Sequence, residues 1–219
     1  MTLVIFVAIV AAVGALALRV IGRPGIGILI AYLLVPGILA GAGRLDRYEP
    51  LPAPALVLIL ALTVVTVILA FSRLGHRVAT SVSVAGLVGF QVFRVPVEWV
   101  LHRLYLQGTV PVQMTYSGRN LDILSGVTAG LLGLWLARRG QAPKGLVLGW
   151  NLLGLGLLAN IVVIAVLSTP VSFRSFTEGP ANLLPSTLPY VWLPSFLVQA
   201  ALFGHLVLFR RLARQPSSA

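Results

Sequence analysis

The chain has 219 residues, 58% of them hydrophobic and 10% charged, with a formal charge of +11 and a mean hydropathy of +0.99. Soluble domains carry about 25% charged residues, so a water-facing surface cannot be built from this composition, and the sequence is that of an integral membrane protein. The absence of cysteine excludes disulfides, thiolate catalysis and cysteine-based metal sites.

Seven apolar runs are expected to cross the bilayer, each near the roughly 20 residues that a crossing needs. They cover about 1–18, 25–43, 51–72, 78–105, 122–137, 145–169 and 185–209. The first lacks the basic leader of a secretory signal, so Ala15-Leu16-Ala17 is read as helix rather than as a cleavage site. Prolines 50, 52 and 54 mark the start of the third run. The fifth is short, and its start draws on the loop before it. The expected architecture is all-α, a single bundle of seven transmembrane helices.

Charge placement orients the bundle. One set of alternate connections holds Arg19, Arg23, Arg73, Arg77, Arg138, Arg139, Lys144, Arg210, Arg211 and Arg214, ten basic residues without an acid. The other side, with the outer half of the fourth run, holds Arg44, Arg47, Arg94, Arg103, Arg119 and Arg174 together with all five acids: Asp46, Glu49, Glu98, Asp122 and Glu178. The positive-inside rule places the N-terminus outside and the C-terminus in the cytoplasm, of a bacterial-type plasma membrane. Ser117 is then external and Gln141 cytoplasmic. Because the basic residues lie in clusters between apolar runs, their partners are lipid headgroups and not nucleic acid. The pairs Gly37/Gly41, Gly126/Gly130 and Gly145/Gly149 suit close helix packing but specify no oligomer.

The chemistry-bearing stretch closes the fourth run, QVFRVPVEWVLHRLY. Gln91, Arg94, Glu98, His102 and Tyr105 are spaced to share one helical face. Charged residues in a bilayer need partners or water. Arg94–Glu98 and Glu98–His102 are i, i+4 neighbours that can satisfy one another, and Pro96 is expected to kink the helix. The loop that follows offers Gln113, Tyr116, Arg119, Asn120 and Asp122 at the same external level, with Asn120 suited to cap the fifth helix. The two sets are expected to meet in one site. The longest connections, 106–121 and 170–188, are both external and are read as lids.

These residues describe an outward-facing polar pocket binding a small polar, anionic or zwitterionic molecule for uptake or sensing, with Arg94 and Arg119 as forked donors. An alternative is a membrane-embedded enzyme acting on a lipid-like substrate at the outer leaflet, with His102 as acid or base and Glu98 tuning it. A structural subunit of a membrane complex is a third. No cofactor is expected. His102, Glu98 and Asp122 could be assembled as a metal set, but one histidine without a metalloprotein motif argues against it. Retinal requires a Schiff-base lysine, and the only lysine, Lys144, lies in a cytoplasmic loop. Haem would need two histidines at one depth; only His76 and His205 both fall near the cytoplasmic edge, and His76 is expected in a loop.

Overall fold

A computed structural model describes residues 1–140 and 143–214; Gln141 lies outside them. The described chain is all-helical, 74% helix without strands. The helices are α1 (Thr2–Ile21), α2 (Pro24–Gly41), α3 (Pro54–Phe71), α4 (Arg73–Ser81), α5 (Val84–Leu106), α6 (Ile123–Arg139), α7 (Lys144–Leu167) and α8 (Leu193–Ala213). Six of them, all but α4 and α6, are long and apolar enough to cross a membrane. Their outer faces confirm the solvent they suit: Leu60 and Ile68 on α3 are 65% and 62% exposed, on a face no water-soluble surface would tolerate at this extent. This is the build of a multi-pass membrane protein.

The expected fourth run divides. Val78 and its neighbours belong to α4, a short helix with Leu74 and Val78 on one face and Arg73, His76, Arg77 and Thr80 on the other. Ser72 caps it, accepting from the Leu74 amide at 3.1 Å, and Ser83 restarts the chain as α5, accepting from Gly86 at 3.0 Å. An amphipathic segment of this kind lies along the headgroup level. Because α5 begins at Val84 rather than Val78, Arg94 lies only about 15 Å along it, near mid-span, and not at its far end. The seventh run shifts likewise. Residues 185–192 form a loop with a short 3-10 turn at Leu184–Ser186, and α8 starts at Leu193.

Within α5, residues Gln91–Phe93 tighten into a 3-10 turn, and Pro96 falls in the first turn of the α-helical stretch Arg94–Leu106. An N–H is dispensable there, so the proline is accommodated by the local change of winding. Helices α5 and α8 form the centre, 44% and 50% buried against 22–28% for α1, α2 and α3. Helix α6 lies against α5 along small residues. A Cβ on Gly126 would come within 2.9 Å of the Val95 backbone nitrogen, and one on Gly133 within 3.1 Å of the Gly89 Cα. Of the expected glycine pairs, Gly126/Gly130 and Gly37/Gly41 face neighbouring side chains, whereas nothing comes within 4 Å of Gly145 or Gly149.

Two π-helical turns, Ile30–Leu34 in α2 and Leu193–Leu197 in α8, pack on each other. Pro36 cannot donate to the Tyr32 carbonyl four residues before it, and Ser195 Oγ donates to that carbonyl at 3.4 Å. Trp192 Nε1 donates to the Leu33 carbonyl at 2.9 Å. Beside them Tyr32 Oη, Thr66 Oγ1 and the Gln199 side chain form a chain of 2.8 and 3.0 Å hydrogen bonds joining α2, α3 and α8.

Candidate functional site

Arg94 is the hub of a buried polar network. Its Nε donates to Asp122 Oδ2 at 2.6 Å, and its Nη2 donates to Asp122 Oδ1, forming a forked ion pair. Nη1 lies 3.0 Å from His205 Nε2 and, with Nη2, 3.4 Å from the Gly154 carbonyl. Both Arg94 and Asp122 are nearly inaccessible, at 2% and 4% exposure, so each charge depends on the other. The expected Arg94–Glu98 pair is therefore not formed. Gly126 brings α6 against the backbone at Arg94 and Val95, and Asp122, one turn before it, presents both carboxylate oxygens to the guanidinium.

The tautomer of His205 follows from its partners. Guanidinium nitrogens only donate, so Nε2 accepts from Arg94, and Nδ1 carries the proton and donates to Asn151 Oδ1 at 2.7 Å. Asn151 Nδ2 in turn donates to the His205 carbonyl at 3.1 Å. Gly154 is needed here for space, since a Cβ would lie 2.5 Å from His205 Cε1. Sequence reasoning placed His205 near the cytoplasmic edge and left out Asn151. With α8 running Leu193–Ala213, His205 is about 18 Å from its start, inside the span. A lone histidine and a lone asparagine within apolar runs were the available signal. His76, by contrast, is exposed and contacts Arg214, so the two histidines do not form a haem pair.

Glu98 holds a second position. Asn120 Nδ2 donates to Glu98 Oε2 at 2.6 Å and to the Met114 carbonyl at 3.0 Å, while Asn120 Oδ1 accepts from the Asp122 amide at 3.0 Å. Asn120 thus makes an Asx turn ahead of α6 and ties Glu98 to the Arg94–Asp122 pair. The fork to Arg94 occupies the Asp122 carboxylate. The two sets expected to meet do so at three points: Arg94–Asp122, Glu98–Asn120 and a His102–Tyr116 ring stack at 4.4 Å.

The remaining residues divide by depth. His102 lies 3.4 Å from Ser117 Oγ and 5.9 Å, ring to ring, from Tyr105, and no hydrogen bond joins it to Glu98. The expected Glu98–His102 pair is absent because His102 turns to the 106–121 connection, against Tyr116 and Ser117. Among the described residues no three of His, Asp and Glu cluster, so the His102, Glu98 and Asp122 metal set is not assembled. Arg119 stacks over Phe176 of the 170–188 connection at 5.4 Å, and its carbonyl accepts from Asn160 at 2.9 Å. Gln91 Nε2 donates to the Ala201 carbonyl at 3.1 Å, fastening α5 to α8, while its Oε1 is buried without a partner. Gln113 Oε1 is likewise buried and unpartnered.

Beside Glu98, Arg94 and Asp122 lies a cavity of about 260 Å³. Its remaining walls are mainly aliphatic, including Leu101, Leu158, Ile161 and Leu197, with Thr63, Gln199 and Asn182 as isolated polar points. Asn182 belongs to the second lid, which is built rather than slack: its amide donates to the Ser168 carbonyl at 2.8 Å and its Nδ2 to the Ala165 carbonyl at 3.0 Å. The cavity is therefore amphipathic, with one charged wall, in place of the uniformly polar pocket expected. Every nitrogen of the Arg94 guanidinium already donates within the protein, which leaves it unsuited to seize an anion. Comparison with known protein families, with curated proteins and with solved structures finds no match.

Proposed function

We propose that this chain is a seven-span membrane protein, N-terminus outside and C-terminus in the cytoplasm of a bacterial-type plasma membrane, that binds a small amphipathic molecule through Glu98 for uptake or sensing. The seventh crossing is α6, whose 17 residues reach about 26 Å, close to the thickness of the hydrocarbon core. The ligand combines an apolar body with a hydrogen-bond-donating or cationic head.

One observation carries this reading. Glu98 is 2% exposed, has Asn120 as its sole hydrogen-bonding partner among the described residues, and borders the 260 Å³ cavity. A buried carboxyl facing an aliphatic chamber gains from a donor that a ligand brings. The Arg94–Asp122 pair is internally neutral, so Glu98 is the wall group left to meet a ligand's head, as a hydrogen-bond acceptor or as counter-ion to a cation. That selects a cationic or neutral donor over the anion expected from the arginines alone. Lateral helices supply the apolar walls, and the lids close the outer end.

The test uses purified protein in lipid nanodiscs with three probes of equal chain length: octylammonium, octanol and octyl sulfate. Octylammonium should raise the unfolding temperature most and octyl sulfate least. Glu98→Gln retains an acceptor for Asn120 and should remove the preference for ammonium. A preference for octyl sulfate, or an ammonium preference that survives Glu98→Gln, would overturn the proposal.

A further inference from the structure

A second cavity, about 470 Å³, lies between the C-terminal half of α1, the first half of α2, the inner face of α4, the start of α5 and the first half of α8, with Thr66 and Leu69 of α3. Its walls are almost wholly aliphatic and aromatic, among them Val20, Leu29, Leu74, Val78 and Phe203. Tyr32, Thr66 and Gln199 form its polar floor, and their side chains already bond to one another. Apolar space of this size beside hydrocarbon has no water partner to hold, and a lipid chain is the occupant chemically suited to it.

Four arginines flank the lining residues in the chain. Arg19 lies beside Val20, Arg23 two residues before Gly25, Arg73 beside Leu74 and Arg77 beside Val78, so all four adjoin lining residues in the chain. All four are exposed, and their guanidinium groups make no hydrogen bond or ion pair among the described residues. Their neighbours at the same end are committed differently. Arg210 donates to the carbonyls of Ala70 and Ser72 at 2.9 and 2.7 Å, and Arg211 donates to that of Ala79 at 2.9 Å. Those arginines close the C-terminal ends of α3 and α4. The α1–α2 connection is tight, with Gly22 at φ +75° and a Gly25 Cβ position only 3.3 Å from Ile21 Cβ, which fixes Arg19 and Arg23 on either side of one turn.

We propose that this cavity is a binding site for an anionic phospholipid of the leaflet at the basic end, with one acyl chain in the cavity and the phosphate among Arg19, Arg23, Arg73 and Arg77. The charge complements a phosphate, and α4 carries the rim at headgroup depth. An acidic peptide would satisfy the arginines and leave the chamber unfilled, whereas a zwitterionic lipid would fill the chamber without using the arginines. The site is independent of the Glu98 reading, because none of these arginines borders the Glu98 cavity.

The test is thermal unfolding and native mass spectrometry of the delipidated full chain in detergent, titrated with phosphatidylglycerol, with phosphatidylcholine of the same chains, and with glycerol phosphate. Phosphatidylglycerol should stabilise and be retained, and the other two should not. Arg77→Gln should weaken retention about fivefold, and each further arginine removed should add a similar factor. Arg138→Gln/Arg139→Gln, at the same end but away from the cavity, should leave retention unchanged. Equal stabilisation by phosphatidylcholine would overturn the proposal, as would an equal loss in the Arg138/Arg139 variant, which would mark general surface charge. Stabilisation by glycerol phosphate alone would mark an anion site without a chain. Should the quadruple Arg→Gln variant fail to fold, the single Arg77→Gln variant carries the same comparison.

Discussion

Asp122→Asn is the most informative single change. It keeps the size and the hydrogen-bonding shape of the side chain but removes the charge that faces Arg94. The guanidinium is 2% exposed and its other contacts, His205 Nε2 and the Gly154 carbonyl, are neutral. Removing one member of a buried pair typically costs about 3–5 kcal/mol, against about 0–1 kcal/mol for an exposed one. For a chain of this size each kcal/mol lowers the unfolding temperature by about 2–4 °C, so a drop of roughly 10 °C is expected. Tryptophan fluorescence during heating in detergent measures it, with Glu49→Gln as the comparison, since Glu49 meets the Ser172 amide at an exposed site. Replacing both partners, Arg94→Met with Asp122→Leu, should recover most of the loss, because no unpaired charge is left. An Asp122→Asn unfolding temperature indistinguishable from that of Glu49→Gln would refute the reasoning.

Glu98→Gln should be milder than Asp122→Asn in the same melting assay, because Arg94 keeps its partner and Asn120 keeps an acceptor. Gly154→Ala should destabilise by about 1–3 kcal/mol through overlap with the His205 ring, while Gly156→Ala, with nothing within 4 Å, should be neutral or slightly stabilising. Cysteines introduced as Ser117→Cys and Arg139→Cys flank α6 and should react with an impermeant maleimide from opposite sides of the membrane; same-side labelling would remove α6 as a crossing helix.

The polar face of α5 was legible because charges inside an apolar run must find each other, and helical spacing tells which of them share a side. That is why Arg94, Glu98 and His102 could be linked in advance to Asn120, Asp122 and Tyr116. The choice of partner was not legible. Glu98 at i+4 and Asp122 across a helix interface are equally plausible companions for Arg94 until Gly126 is known to draw α6 onto α5. Depth was misread for a related reason: Val78 and the stretch Leu188 to Trp192 are apolar, yet one belongs to the short helix α4 and the other to the connection before α8. Hydropathy does not separate these from a crossing segment. The amphipathic cavity could not be foreseen, since its walls come from α3, α5, α7 and α8, and only folding puts their aliphatic faces opposite Glu98.

The mid-span arginine also constrains how the chain is made. Synthesis delivers α5 before its partners: Asp122 follows Arg94 by 28 residues and His205 by 111. At the moment α5 leaves the ribosome it is a poor candidate for entry on its own, with a mean hydropathy of 1.4 against 2.7 for α1 and an arginine that costs about 2.5–3.5 kcal/mol at the bilayer centre. The carboxylate that resolves this comes with the start of α6, 28 residues after the arginine and long before α8 is made. On the seven-span reading proposed above, biogenesis is pairwise at this point, α5 entering together with α6 as a pre-neutralised hairpin. The histidine end of the network closes last, when α8 emerges and fills the seat that Asn151 and Gly154 have already formed.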